Sequence, residues 1–171
     1  MALDQGGRVY TWGINDYGQL GNGGTRYCTA PNQVVSLDDV EIVDITAGGW
    51  HSAAVSKAGT DLPVCHGCDI LPSSGELYTW GRGEYGRLGL GDKSGSTRLR
   101  PHKVPGLEEH QVVNASAGGT HTMCLTSEGL MFIWGRGSYG RLGDRDSARD
   151  RCAWHLLQSD SLMLQICAQT G

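Results

Sequence analysis

Tyr10-Thr-Trp12-Gly13-Ile-Asn-Asp-Tyr17-Gly18-Gln-Leu20-Gly21 decides the fold, because the chain says it three times. It returns as Tyr78-Thr-Trp80-Gly81-Arg-Gly-Glu-Tyr85-Gly86-Arg-Leu88-Gly89. It returns again as Phe132-Ile-Trp134-Gly135-Arg-Gly-Ser-Tyr139-Gly140-Arg-Leu142-Gly143. A second stretch, from Val34 to Ala47-Gly48-Gly49-Trp50-His51, recurs from Val104 to Ala117-Gly118-Gly119-Thr120-His121 at a constant offset of 70. Self-similarity at a fixed period is the mark of a repeat architecture.

The spacings locate an insertion. Trp12 and Trp80 lie 68 residues apart, whereas Trp80 and Trp134 lie 54 apart. The excess falls between Gly59 and Gly75. Without it the period is close to the ~50 residues of a four-stranded propeller blade. The expected organisation is therefore a repeat region over 6–143, with blade units at about 6–59, 75–129 and from 130 to 143 onward. An insertion loop occupies 60–74, and a divergent C-terminal tail occupies 144–171.

Local patterns predict short strands. Arg8–Trp12 and Glu76–Trp80 are rich in β-branched and aromatic residues and stop at a glycine. Ser52–Val55 and Thr122–Leu125 read as strands leading to turns at Ala58-Gly59 and Glu128-Gly129. In each Trp strand, Tyr10 and Trp12 share one face while Val9 and Thr11 share the other. No helical period is sustained before residue 150. Glycine supplies 27 of 171 residues, against an average near ~7%. These glycines are expected in turns between strands. The fold class read from the sequence is all-β.

Composition narrows the function. The net charge is −4 with no long Lys or Arg run, which argues against direct nucleic-acid binding and against a membrane surface. No apolar run approaches the ~18 residues of a span. Met1–Arg8 lacks an apolar signal core. A cytoplasmic or nuclear location is expected, with the six cysteines reduced. Asn114-Ala-Ser116 fits a glycosylation sequon that carries no meaning without secretion.

The units Trp-Gly-x-x-x-Tyr-Gly-x-Leu-Gly and Ala-Gly-Gly-x-His closely resemble the repeats of the regulator-of-chromosome-condensation family. The wording of the repeats looks plant-like and is similar to the ultraviolet-B receptor group. The resemblance implies a propeller of seven four-stranded blades. Three repeats are fewer than seven, so a partial propeller is expected, as a fragment or a truncated or mis-spliced product. The tail supports that expectation. A Pro-x-x-Val element (Pro31–Val34, Pro101–Val104) should recur near 153–155, but the chain reads Cys152-Ala-Trp154-His155-Leu-Leu157. That stretch is expected to be out-of-frame sequence or a weakly amphipathic helix.

Candidate chemistry is sparse. Gly81–Gly86 and Gly135–Gly140 fit the dinucleotide pattern GxGxxG, but that pattern needs a following helix to aim N–H groups at phosphate. More turn residues follow instead. Asn15 stands where Gly83 and Gly137 stand, an exchange expected to reflect shared tolerance of positive φ. Cys65-His66-Gly-Cys68 is one CxxC without the further ligands zinc needs. His51 and His121 share a repeat position and are expected to bond across a blade turn rather than to act on a substrate. Trp12, Trp80 and Trp134 read as blade-packing core.

Gly13, Gly18, Gly21, Gly48, Gly49, Gly81, Gly86, Gly89, Gly118, Gly119, Gly135, Gly140 and Gly143 complete the repeat-structural set. No catalytic residue, metal ligand or cofactor is expected. Arg82, Arg87, Arg136 and Arg141 recur at matching turns. They read either as solvated turn residues or as a basic rim strip that meets acidic protein surfaces through bidentate pairs.

The function expected is a non-enzymatic protein-interaction module. The resemblance also implies nucleotide exchange on a small GTPase, with a small GTPase or chromatin protein as partner, or an ultraviolet-B photoreceptor relative. The sensing motif of that receptor group, Gly-Trp-Arg-His-Thr, is replaced here by Gly48-Gly49-Trp50-His51-Ser52 and Gly118-Gly119-Thr120-His121-Thr122.

Overall fold

The computed structural model describes residues 1–57, 75–92 and 94–143, and the backbone of 151–157. The insertion at 60–74, with Cys65, His66 and Cys68, lies outside the described residues, as do 144–150 and 158–171 of the tail.

Three antiparallel sheets follow one another along the chain. The first holds β1 (Ala2–Leu3), β2 (Val9–Gly13) and β3 (Cys28–Gln33). The second holds β4 (Ile42–Ala47), β5 (His51–Ser56), β6 (Leu77–Gly81) and β7 (Arg98–Lys103). The third holds β8 (Val112–Ala117), β9 (His121–Thr126), β10 (Met131–Gly135) and β11 (Arg151–Leu157). Each sheet is a blade built of sequential hairpins.

The registers repeat as the sequence does. His51 pairs with Gly81 and Ser52 with Trp80; one blade later His121 pairs with Gly135 and Thr122 with Trp134. Every Trp-Gly strand carries a register shift against its outer neighbour, between Thr11 and Gly13, Thr79 and Gly81, and Ile133 and Gly135. The bulge adds a residue and bends the strand. The glycine absorbs that bend at φ 104, 105 and 114, a region closed to residues with a Cβ.

The core lies between blades. Val9, Val34, Leu37 and Ile42 pack with Ala54 and Trp80 at the first junction. Leu77, Val104, Leu107 and Val112 pack with Cys124, Phe132 and Trp134 at the second. The alternation read for the Trp strands produces this. Val9 and Leu77 point forward to the next blade, while Trp80 and Trp134 point back to the preceding one.

Two expectations need correction. Residues 151–157 form a strand, not a helix, paired to β10 from Met131↔Leu157 to Gly135↔Arg151. The ladder of β10 leaves N–H and C=O groups that an outer strand satisfies, and 151–157 takes the place that β3 and β7 hold in the other two sheets. Trp12, read as core with its two sisters, is 41% exposed, whereas Trp80 and Trp134 are at 0%. Its face of β2 points away from the second blade, and packing by a neighbour, not the local sequence, buries a blade tryptophan.

Candidate protein-binding rim

The turn between the Trp strand and the next strand is where blades meet. Gln19, Arg87 and Arg141 occupy one position in it. The Gln19 carbonyl accepts the Trp80 Nε1–H at 2.9 Å and the Ser52 hydroxyl at 2.9 Å. The Arg87 carbonyl accepts the Trp134 Nε1–H at 2.9 Å and the Thr122 hydroxyl at 2.6 Å. Each junction thus repeats one lock, in which an indole and a hydroxyl of one blade hold a turn carbonyl of the blade before. Gly21 and Gly89 make room for it. A Cβ on either would lie 2.8 or 2.7 Å from the indole of Trp80 or Trp134.

His51 belongs to the same node. Its Nε2 lies 2.7 Å from the Thr122 hydroxyl. That hydroxyl spends its one proton on the Arg87 carbonyl, so it accepts from His51, and the imidazole carries its proton on Nε2. The expected bond across the blade's own turn is replaced by a bond between blades. Burial, with Arg87 and His121 nearby, pulls the His51 pKa down to about 3. His121 is lowered in the same direction by burial and Arg141. Gly48 and Gly49 run against the next blade's Gly118 and Gly119. The Gly49 N–H donates to the Gly118 carbonyl at 3.3 Å, and a Cβ on Gly48 would meet that oxygen at 2.2 Å.

Arg87 is not a rim residue. Its side chain is 1% exposed and donates to the Glu84 and Gly119 carbonyls, both at 2.8 Å. Burial lowers its pKa from the ordinary arginine value, with Arg82 acting in the same direction. Charge reversal at 87 would therefore test folding, not binding.

Asn15 corrects a further expectation. Gly83 and Gly137 sit at φ −89 and −83, so positive φ does not explain the exchange. A Cβ on Gly83 would lie 2.1 Å from the Ser96 carbonyl. The first blade's turn is instead built around the Asn15 amide, which donates to the Gly24 and Arg26 carbonyls at 2.9 and 3.0 Å and accepts from the Leu20 N–H at 2.9 Å.

The other three arginines each lie over aromatic rings to which the sequence pattern alone assigns no role. The Arg82 guanidinium lies 4.5 Å from the Tyr17 ring centroid and 5.7 Å from that of Trp50, and pairs with Glu84 at 2.5 Å. Arg136 lies 4.8 Å from the Tyr85 ring, and Arg141 lies 5.5 Å from the Tyr139 ring. Arg82 and Arg136 each cap the tyrosine of the blade before, while Arg141 caps the tyrosine of its own turn. Tyr85 and Tyr139 both sit at φ 63, a rare conformation for a bulky residue that costs about 1–3 kcal/mol. Tyr139 is 89% exposed. The available signal was the tyrosine that precedes Gly18, Gly86 and Gly140 in all three units.

Gly81–Gly86 and Gly135–Gly140 lead into three-residue 3-10 turns at Glu84–Gly86 and Ser138–Gly140, not into helices. Among the described residues no group of three or more His, Cys, Asp or Glu is placed to hold a metal ion, and no helix is long and apolar enough to cross a membrane. Cys28 and Cys124 carry free thiols, and burial pushes that of Cys124 up to about 12.

Sequential antiparallel sheets, one of three strands and two of four, that stack face to face define an incomplete β-propeller. The regulator of chromosome condensation (RCC1) repeat matches residues 6–55 and 74–125, and a second form of that repeat matches 112–141; the chain belongs to this family. It is 40% identical over 145 residues to the human E3 ubiquitin-protein ligase HERC2, covering 84% of this chain and 3% of that protein. It is 32% identical over 180 residues to the ultraviolet-B receptor UVR8 of Arabidopsis thaliana, covering 84% of this chain and 40% of that protein. Human and plant relatives both match, so the plant-like wording of the repeats does not single out the receptor group. Among solved structures, Prp20p of Saccharomyces cerevisiae, described with its binding to Gsp1p and histones, superposes with a TM-score of 0.70 at 22% identity. That match covers 94% of this chain and 36% of Prp20p. The chain thus spans well under half the length of each of these proteins.

Proposed function

We propose that the chain is a non-enzymatic protein-binding module, and that its arginine–aromatic strip takes a carboxylate-rich surface of a partner protein. The supporting observation is Tyr139, held almost wholly in solvent at φ 63 at the end of a strip that contains Tyr17, Trp50, Arg82, Tyr85, Arg136 and Arg141. Tyrosine, tryptophan and arginine are the residues that dominate binding energy at protein interfaces. A planar guanidinium fixed over a ring is already ordered, so it pairs with a carboxylate at lower entropic cost. The same reading covers a small GTPase or a chromatin protein as partner only where such a protein presents acidic side chains to the strip.

The test uses the immobilised chain as bait and quantifies the proteins it retains. Tyr139→Ser with Arg136→Glu and Arg141→Glu should lose partners that Lys57→Glu keeps, since Lys57 pairs with Glu41 away from the strip. Equal retention by both variants contradicts the proposal. Exchange activity would appear as faster GDP release from a small GTPase, and photoreception as a change of mass under ultraviolet-B light; neither is expected from this chain.

A further inference from the structure

The turn that follows β6 carries an acid that its backbone geometry does not need. Glu84 stands where the first blade has Asp16 and the third has Ser138. The second and third turns share one conformation all the same. Gly83 and Gly137 lie at φ −89 and −83, Tyr85 and Tyr139 both at φ 63, and Arg87 and Arg141 at φ −58 and −69. In the third blade the Ser138 hydroxyl accepts from Arg136 Nε at 3.2 Å, so this turn holds its arginine without a carboxylate. The Glu84 backbone carbonyl accepts from Arg87, a bond that any residue at 84 could make. The Glu84 side chain instead pairs with Arg82 at 2.5 Å and reaches Arg87 at 3.7 Å. Arg82 lies 4.5 Å from the Tyr17 ring and 5.7 Å from that of Trp50, and the two rings meet edge to face at 5.5 Å. The side chains of Arg82 and Glu84 are 28% and 44% exposed, and Trp50 is exposed beside them. All four residues belong to the first two blades, and the third is packed against the second.

We infer that the Arg82 guanidinium, set over Tyr17 and beside Trp50, is the seat for an aspartate or glutamate side chain of the partner protein, and that Glu84 is its built-in competitor, displaced when the partner docks. This inference rests on the reading of the rim as a protein-binding surface, and it names one subsite and what controls it. Glu84 itself shows the ligand class that the seat takes, a carboxylate. An ion pair open to water on both sides is worth little, so an incoming carboxylate displaces it at small cost. The guanidinium offers paired N–H donors in a fixed plane, and the rings keep that plane in place. Exchange of one carboxylate for another brings almost no gain by itself. A partner gains when it also lays an apolar side chain on Trp50, an anchor of the residue type that dominates interfaces. Glu84 thereby discriminates against acidic surfaces in general and favours a carboxylate with an apolar neighbour. The third blade has Thr120 in place of Trp50, which gives this preference to the second blade.

The experiment titrates the full 171-residue chain with a capped Glu-Leu-Glu-Leu-Glu peptide, following the Arg82 Nε–H and the Trp50 indole N–H by NMR. The expected result is that both signals move together along one binding curve. Glu84→Gln should tighten binding about threefold, the worth of an exposed ion pair converted to affinity. Glu84→Ser, which copies the third blade's own residue, should do the same and serves if the glutamine variant folds poorly. Adding Arg82→Gln to either variant should weaken binding by at least about tenfold, the loss of a charge-assisted contact. Replacing the peptide's leucines with glycine should weaken binding to the unmodified chain, and Trp50→Thr should erase that difference. Equal or weaker binding by both Glu84 variants overturns the competitor while the carboxylate-binding rim stands. A leucine preference that survives Trp50→Thr overturns the part assigned to Trp50. If the peptide moves neither signal in any of these chains, the seat falls and the carboxylate reading of the rim falls with it.

Discussion

Thr122→Val should cost far more stability than Ser52→Ala, although the two hydroxyls fill one repeat position and make the same bond. Ser52 donates to the Gln19 carbonyl at 2.9 Å, and that carbonyl keeps the Trp80 indole when Ser52 is truncated. Only one of two donors is lost, which is worth about 0.5–1.5 kcal/mol. Thr122 carries a second burden. Its oxygen accepts from the fully buried His51 Nε2–H at 2.7 Å. Valine keeps the β-branched shape but leaves that N–H buried without an acceptor, a penalty of about 1–3 kcal/mol. The sum for Thr122→Val is about 1.5–4.5 kcal/mol. Urea unfolding followed by tryptophan fluorescence measures both, with a shift in midpoint at constant slope reporting stability. Thr122→Ser, which keeps the hydroxyl, should restore most of the loss. If Thr122→Val and Ser52→Ala cost the same, or if Thr122→Val is neutral, the reasoning about the His51–Thr122–Arg87 chain is wrong.

Arg87→Ala should destabilise by about 3–5 kcal/mol, because it empties a buried site and leaves the Glu84 and Gly119 carbonyls without their donor. Arg136→Ala should cost about 1 kcal/mol or less, the worth of a partly exposed cation–π contact; the same urea curves separate the two. His51 stays neutral in the fold to about pH 3, whereas the unfolded chain protonates it near ~6.5. Stability from this group is therefore full above about pH 6.5 and falls by about 1.4 kcal/mol per unit below it, some 2 kcal/mol by pH 5. His51→Gln should flatten that loss, and equal wild-type and variant pH profiles would contradict it. Gly48→Ala places a Cβ 2.2 Å from the Gly118 carbonyl and must push the second and third blades apart, for at least about 2 kcal/mol. Gly129→Ala meets open space at φ +80 and should cost only the left-handed strain of about 1 kcal/mol, as calorimetry can compare.

The blades were legible because their signals are local. The Trp-Gly step that ends β2, β6 and β10 shows in the sequence as a β-rich run stopped by glycine, and the constant offset of 70 carries the register of β4 and β5 onto β8 and β9. What was not legible depends on a neighbouring blade. Trp12 and Trp80 have the same surroundings in sequence, and only the second has a blade turn behind it. Arg87 looks like any turn arginine until the Gly119 carbonyl arrives from the next blade, 32 residues away. Asn15 looked like a glycine substitute, yet it holds its turn through its side chain. The strand β11 lacks the proline of β3 and β7, and it is pairing to β10, not its own composition, that makes it a strand. The arginine–ring contacts were half visible: the cations recur in the sequence, but the tyrosines under Arg82 and Arg136 come from the blade before.

Hydrogen exchange at the indole N–H groups, followed by NMR on a dilute, unassociated sample, tests the inter-blade lock most directly. The Trp80 and Trp134 indoles should exchange at least about a hundredfold more slowly than those of Trp12 and Trp50, since only opening of a blade junction exposes them. Comparable rapid exchange at all four would mean that the blades are not joined through the Gln19 and Arg87 carbonyls, and the lock would not exist.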